Sequence, residues 1–123
     1  MIDRTQVRLS DQCRIILERW KEGNEIGDMI DGYRLGIAIA LAAGAEPDDL
    51  PQNSVTYVSV STLDPEGEIR GAIRCLAVTE ANTEYHLSEK LACWGIKYLH
   101  DRCPTGTTEL GFLFADQQPD VSP

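Results

Sequence analysis

The chain has 123 residues, enough for one domain whose core forms without a metal or disulfide. Apolar residues make up 42% and charged ones 25%, which excludes a disordered or fibrous chain. The net charge of −9 excludes a protein that coats nucleic acid by bulk electrostatics, because that affinity comes from Lys and Arg neutralising phosphates. The charge is uneven. Residues 1–24 carry five basic and four acidic side chains, the remainder six and sixteen, so only the beginning of the chain suits a phosphate backbone. The acidic remainder suits solubility or a basic protein partner.

Taken in chain order, Arg4, Gln6 and Arg8 alternate with Thr5, Val7 and Leu9, the period-two pattern of a strand over residues 4–9. Ser10 is an N-cap with Asp11 in the first turn, and Cys13, Ile16, Leu17 and Trp20 mark one face of a helix. Gly23 is expected to stop it as a left-handed glycine, and Asn24 to cap a second helix at once. That helix is expected over residues 25–43, with Ile26, Met29, Ile30, Tyr33, Ile37 and Leu41 on its apolar face. Its second half is apolar all round and therefore expected to be buried on every side. Gly32, Gly36, Ala40 and Gly44 recur every four residues, a stripe on which another helix can pack very closely. In a short chain that helix is expected from a second subunit, with a helix of the same chain as the alternative.

"AEPDDLPQNS" (45–54) reads as a connecting loop and "VTYVSV" (55–60) as a short strand or extended segment. A third helix is expected from Asp64 as N-cap, with Pro65 and Glu66 in its first turn and Ile69, Ala72, Ile73, Leu76 and Ala77 on its inner face. "TEANT" (79–83) breaks it. A fourth helix covers residues 84–102, with Leu87, Leu91, Trp94 and Tyr98 as its ridge, widened by Ala92, Ile96 and Leu99. Residues 109–115 form a short apolar piece, and 116–123 a disordered tail. The expectation is one mainly α domain over residues 1–115, with a short N-terminal strand and four helices.

Little in the chain points to catalysis or metal. No apolar run resembles a secretory signal, and the longest, Leu35 to Ala45, is too short to span a bilayer, so a cytoplasmic protein with no membrane partner is expected. Cys13, Cys75 and Cys93 sit in apolar helical patterns, where cysteine acts as a small hydrophobe. Cys93, His100 and Cys103 lie near one another in sequence. Cys93 and His100, however, are about 10 Å apart along a helix axis, and no C-x-x-C is present. Neither Cys75 with His86 nor Cys103 with His100 carries a catalytic signature. No catalytic residue, metal ligand or cofactor is expected.

A strand followed by two helices resembles the ribbon-helix-helix proteins. The resemblance implies a strand that pairs with the same strand of a second chain and reads DNA with its outward side chains, here Arg4, Gln6 and Arg8, while Val7 and Leu9 face the core. Such proteins also hold a phosphate at the start of the second helix, where this chain has Glu25, Asp28 and Asp31 instead.

Over residues 5–102 the order of elements resembles the DndE family of bacterial DNA phosphorothioation (sulfur-modification) systems. The resemblance rests on the loop "GAEPDDL", on Thr62, Leu63 and Glu66 in a T-L-x-x-E pattern, and on a last helix beginning near His86. It implies a non-enzymatic, oligomeric accessory protein that contacts duplex DNA. The chain departs from the family at Val60 and Glu89, where basic residues are expected.

Three functions therefore compete: a DndE-like accessory protein, a ribbon-helix-helix transcriptional regulator, and an acidic interaction module that binds a basic protein and not DNA. The candidate nucleic-acid residues are Arg4, Gln6 and Arg8. The candidate interface of a homo-oligomer is Val7, Leu9, Gly32, Gly36 and Ala40.

Overall fold

The computed structural model describes residues 3–77 and 83–102. The apolar piece at 109–115, the tail at 116–123, Cys103 and most of the break at 79–83 lie outside the described residues.

The alternation of residues 4–9 yields strand β1, Gln6–Leu9, with Val7 and Leu9 buried and Gln6 exposed. Ser10 then caps helix α1, Asp11–Glu22, its Oγ accepting the Cys13 N–H at 3.2 Å. Cys13, Ile16, Leu17 and Trp20 are all buried, as their spacing predicts.

The end of α1 differs from expectation. Gly23 has φ −83°, and Asn24 at φ 62° takes the left-handed position. The Asn24 N–H reaches the Lys21 carbonyl and the Glu25 N–H that of Trp20, a Schellman closure with asparagine in the usual glycine place. Asn24 therefore serves the first helix and cannot cap the second. Helix α2, Met29–Ala43, starts later, capped by Asp28, and ends at Gly44 in the left-handed region.

Val55–Ser59 forms strand β2, antiparallel to β1, with the register slipping by one residue at Tyr57 between Val7 and Arg8. The ribbon that a ribbon-helix-helix protein builds from two chains is built here within one. A single turn, α3 (Val60–Leu63), follows directly. Helix α4, Glu68–Leu76, begins later than expected because residues 64–67 form a turn that ends at Gly67, φ 74°. Asp64 caps α4 all the same, from outside the helix: its carboxylate accepts the N–H groups of Ile69 and Arg70, each at 3.0 Å. Helix α5, Glu84–Arg102, spans the expected residues. The described residues thus hold two strands and five helices, where one definite strand and four helices were expected; the chain is mainly helical.

The core sits between α1, α2 and α5, with Trp20, Tyr33, Leu17, Ile37, Leu91 and Ile96 fully buried. The glycine stripe decides how closely α2 and α5 pack. A Cβ on Gly36 would meet the Ala92 carbonyl oxygen at 2.6 Å, and one on Gly95 would fall on the backbone of Gly36. Gly32 lies under Leu17, Ile26 and Trp20 of the same chain. Val7, Leu9, Gly32, Gly36 and Ala40 are thus all covered by their own chain, and no second subunit is needed to bury them. Nor is the second half of α2 buried on every side: Ala38, Ala42 and Ala43 are exposed, with Leu35 and Ile39 half-buried beside them.

Candidate functional site

Arg4, Gln6 and Arg8 come together, with Thr56, Thr83 and His86, around one open pocket of about 480 Å³. Strand β1 supplies its floor, and the start of α5 supplies His86. Asp3 shapes the same corner. Its carboxylate accepts the N–H groups of Tyr85 and His86, each at 2.9 Å, and so caps α5 from the opposite end of the chain.

Behind the pocket lies Glu89, fully buried. Its carboxylate accepts the backbone N–H of Arg8 at 2.8 Å and lies 3.4 Å from Nε of both Arg4 and Arg8. The two arginine side chains remain about one-third exposed, at 35% and 30%. One buried carboxylate therefore holds two arginines in place, and Asp3 adds a second carboxylate at the same pocket. The Tyr33 hydroxyl donates to the Arg8 carbonyl at 3.0 Å. Burial, with the neighbouring Cys93, Glu89, Cys13 and Tyr57, pushes the Tyr33 phenol well above its ordinary range, so it remains a donor. Both backbone groups of Arg8 are thus occupied by side chains of α5 and α2. A strand from another subunit has no free hydrogen-bonding position at Arg8.

A second buried acid repeats the motif. Glu84 pairs with Arg74 at 2.8 Å and with Arg70 at 3.4 Å. The hydrogen bond from Arg74 outweighs desolvation and holds the Glu84 carboxyl below its ordinary value. Sequence reasoning missed both acids because each is bounded by polar residues in the chain. The available signal was position: Glu84, Ser88, Leu91, Ala92, Gly95 and Leu99 share the inward face of α5 at helical spacing.

The start of α2 holds its own carboxylate where a phosphate would dock in a ribbon-helix-helix protein. Asp28 Oδ1 accepts the Ile30 N–H at 3.4 Å, and Asp31 lies 3.7 Å from Arg34. Thr62 and Leu63 of the T-L pattern tie α3 to α2, since their carbonyls accept hydrogen bonds from Arg34 at 3.1 and 3.0 Å. Cys75 is exposed at the end of α4, whereas Cys93 is buried against α1. Among the described residues, no three His, Cys, Asp or Glu side chains gather round a point that could hold a metal, and no helix is long and apolar enough to cross a membrane.

Compared with protein-family models, curated proteins and solved structures, the chain matches none.

Proposed function

We propose that the protein is a non-enzymatic, oligomeric accessory protein of the cytoplasm, of the DndE kind, that contacts duplex DNA through the pocket at β1. The observation that supports this is the convergence of Arg4, Gln6, Arg8 and His86 on one open pocket. Two guanidinium groups held by one carboxylate present fixed donors, which suits one or two phosphates rather than a long tract. The contact is accordingly local and strongly dependent on salt. The stripe on α2 made by exposed Ala38 and Ala42 with half-buried Leu35 and Ile39 is the face for a second copy, since Gly32, Gly36 and Ala40 are already covered. Sedimentation at micromolar concentration that gives only a 13.6 kDa species counts against the oligomer.

The second reading is an acidic module for a basic protein. It is favoured by the pairing of Arg4 and Arg8 with Glu89, which weakens their attraction for phosphate. Fluorescence anisotropy with nicked and intact duplex at about 50 mM salt, where phosphate contacts still show, separates the two readings. Measurable binding that weakens with added salt and with Arg4→Ala supports the first; no binding to either duplex leaves the second.

A further inference from the structure

The end of α2, the end of α4 and the first half of α5 enclose an apolar groove of about 430 Å³. Leu41 and Ala45 line it from α2 and the loop that follows, Leu76 and Ala77 from the end of α4, and Leu87 and Leu91 from α5. Among the described residues that line it, only Glu46 is charged. Ile69, Ile73 and Leu76 share one face of α4 by their spacing, and Ile73 is wholly covered by the fold. Leu76 is not. At 65% exposed it is the most open large apolar side chain among the described residues. The groove is thus a part of the apolar face of α4 that the described residues leave without a cover.

The sequence beyond α5 carries a segment of matching chemistry. Residues 110–115, Leu-Gly-Phe-Leu-Phe-Ala, hold no charge and stand between Glu109 and Asp116. In an extended chain Leu110, Phe112 and Phe114 fall on one face. Seven residues, 103–109, separate this segment from Arg102, where α5 ends. From Arg102 to Leu110 the chain can span up to about 26 Å. Measured back from Arg102 along the helix axis, Leu91 is about 17 Å away and Leu87 about 23 Å. The segment therefore reaches both residues that α5 gives to the groove.

We propose that residues 110–115 dock in this groove of their own chain, with Phe112 and Phe114 against Leu76, and so cover the open end of α4. The short link favours the chain's own segment over that of a second copy. It holds the segment at a local concentration on the order of millimolar, well above that of separate chains in a dilute solution. Charge disfavours a basic partner in the same place. A cationic segment would meet one carboxylate, Glu46, on an otherwise uncharged lining, whereas Leu110 to Ala115 need no counter-charge. The flanking acids, Glu109 and Asp116, remain in water. A partner with an apolar segment must displace this one first, so the segment acts as a tethered competitor for the groove.

The test compares the leucine methyl resonances of the full chain with those of its Phe112→Ser, Phe114→Ser variant. Resonances of Leu76, Leu87 and Leu91 should move between the two, while those of Leu9 and Leu17, in β1 and α1, stay in place. The difference should not depend on protein concentration. A second measurement replaces Cys75 and Cys103 by serine and adds Leu76→Cys with Phe112→Cys. Mild oxidation should join the two new cysteines within one chain. The yield should exceed by about tenfold that of a control pairing Phe112→Cys with Val55→Cys, a ratio that reads the local concentration at the groove; Val55 is 58% exposed on β2 and does not line the groove. The proposal is overturned if the Leu76, Leu87 and Leu91 resonances do not move, or if both cysteine pairs oxidise to the same extent. It is equally overturned if the disulfide joins two chains, or if the resonance differences grow with concentration, since the occupant is then a second copy.

Discussion

Gly36 and Gly95 hold α2 and α5 so close that a methyl group on Gly95 would fall on the Gly36 carbonyl oxygen. The clash is with backbone, which cannot rotate away. Gly95→Ala is therefore expected to destabilise the fold by about 3 kcal/mol, at the upper end of the overpacking range, despite alanine's better helix propensity. The urea unfolding midpoint reads this directly. An unchanged or higher midpoint means that the two helices do not meet at these residues.

Glu89 links the fold to the pocket. Glu89→Gln leaves two arginines without their buried partner, and is expected to cost about 2 to 3 kcal/mol because both guanidinium groups can still turn to water. The same change should strengthen duplex binding and steepen its dependence on log salt by about one unit, as one more positive charge becomes available to phosphate. A variant that loses stability but gains no DNA affinity removes the pocket from the DNA reading.

Stability should fall in acid, and the sign follows from two carboxyls. The Arg74 hydrogen bond lowers the Glu84 carboxyl in the folded state. Burial alone would raise Asp64, but the Ile69 N–H, the Tyr85 hydroxyl at 2.7 Å and the Arg70 N–H together bring it below its ordinary value. Folded carboxyls with lowered values bind protons less tightly than unfolded ones. Their contribution is therefore complete above the unfolded value of about 4 and is lost as pH falls through the folded values. Denaturation midpoints should be level between about pH 7 and 5 and drop below about pH 4. Asp64→Asn should flatten that drop; if the acid profile of this variant matches the parent's, Asp64 is not among its causes.

Asp3 caps a helix that begins 81 positions later in the chain. Asp3→Ala is expected to cost about 1 kcal/mol, in the range of other lost N-caps. Amide exchange should quicken first at Tyr85 and His86, whose N–H groups the carboxylate accepts. Faster exchange spread evenly along α5 would point to general loosening and away from a cap.

The parts of the fold legible in the sequence are those set by local periodicity. Cys13, Ile16, Leu17 and Trp20 announce α1, and the ridge from Leu87 to Tyr98 announces α5 over roughly the span it occupies. Turn chemistry is harder. Gly23 and Asn24 are adjacent, both can end a helix, and only the closure onto Trp20 and Lys21 shows which one does. Asp64 reads as a helix cap and is one, yet the turn through Gly67 moves the helix itself down the chain. The glycine stripe shows that a helix packs closely on α2, but a pattern on one helix cannot say which helix that is. At the pocket, alternation in β1 is enough to place Arg4, Gln6 and Arg8 on one side. Glu84 and Glu89 are not legible because a buried acid and an exposed acid on a polar-looking helix carry the same letter. What distinguishes them is the arginines that arrive from β1 and α4.

Those long-range ties bear on how the protein is made. Asp3 meets Tyr85 and His86, and Arg8 meets Glu89, across more than eighty residues. A nascent chain still lacking α5 has β1 without its carboxylate partner and α2 with its glycine face open to water. The non-local contacts that complete the core must wait for the last described helix to leave the ribosome, and contacts of that kind slow folding. Synthesis therefore passes through a stage in which the α2 surface is exposed, and during that stage the apolar face of α2 is open to a chaperone or to a neighbouring copy.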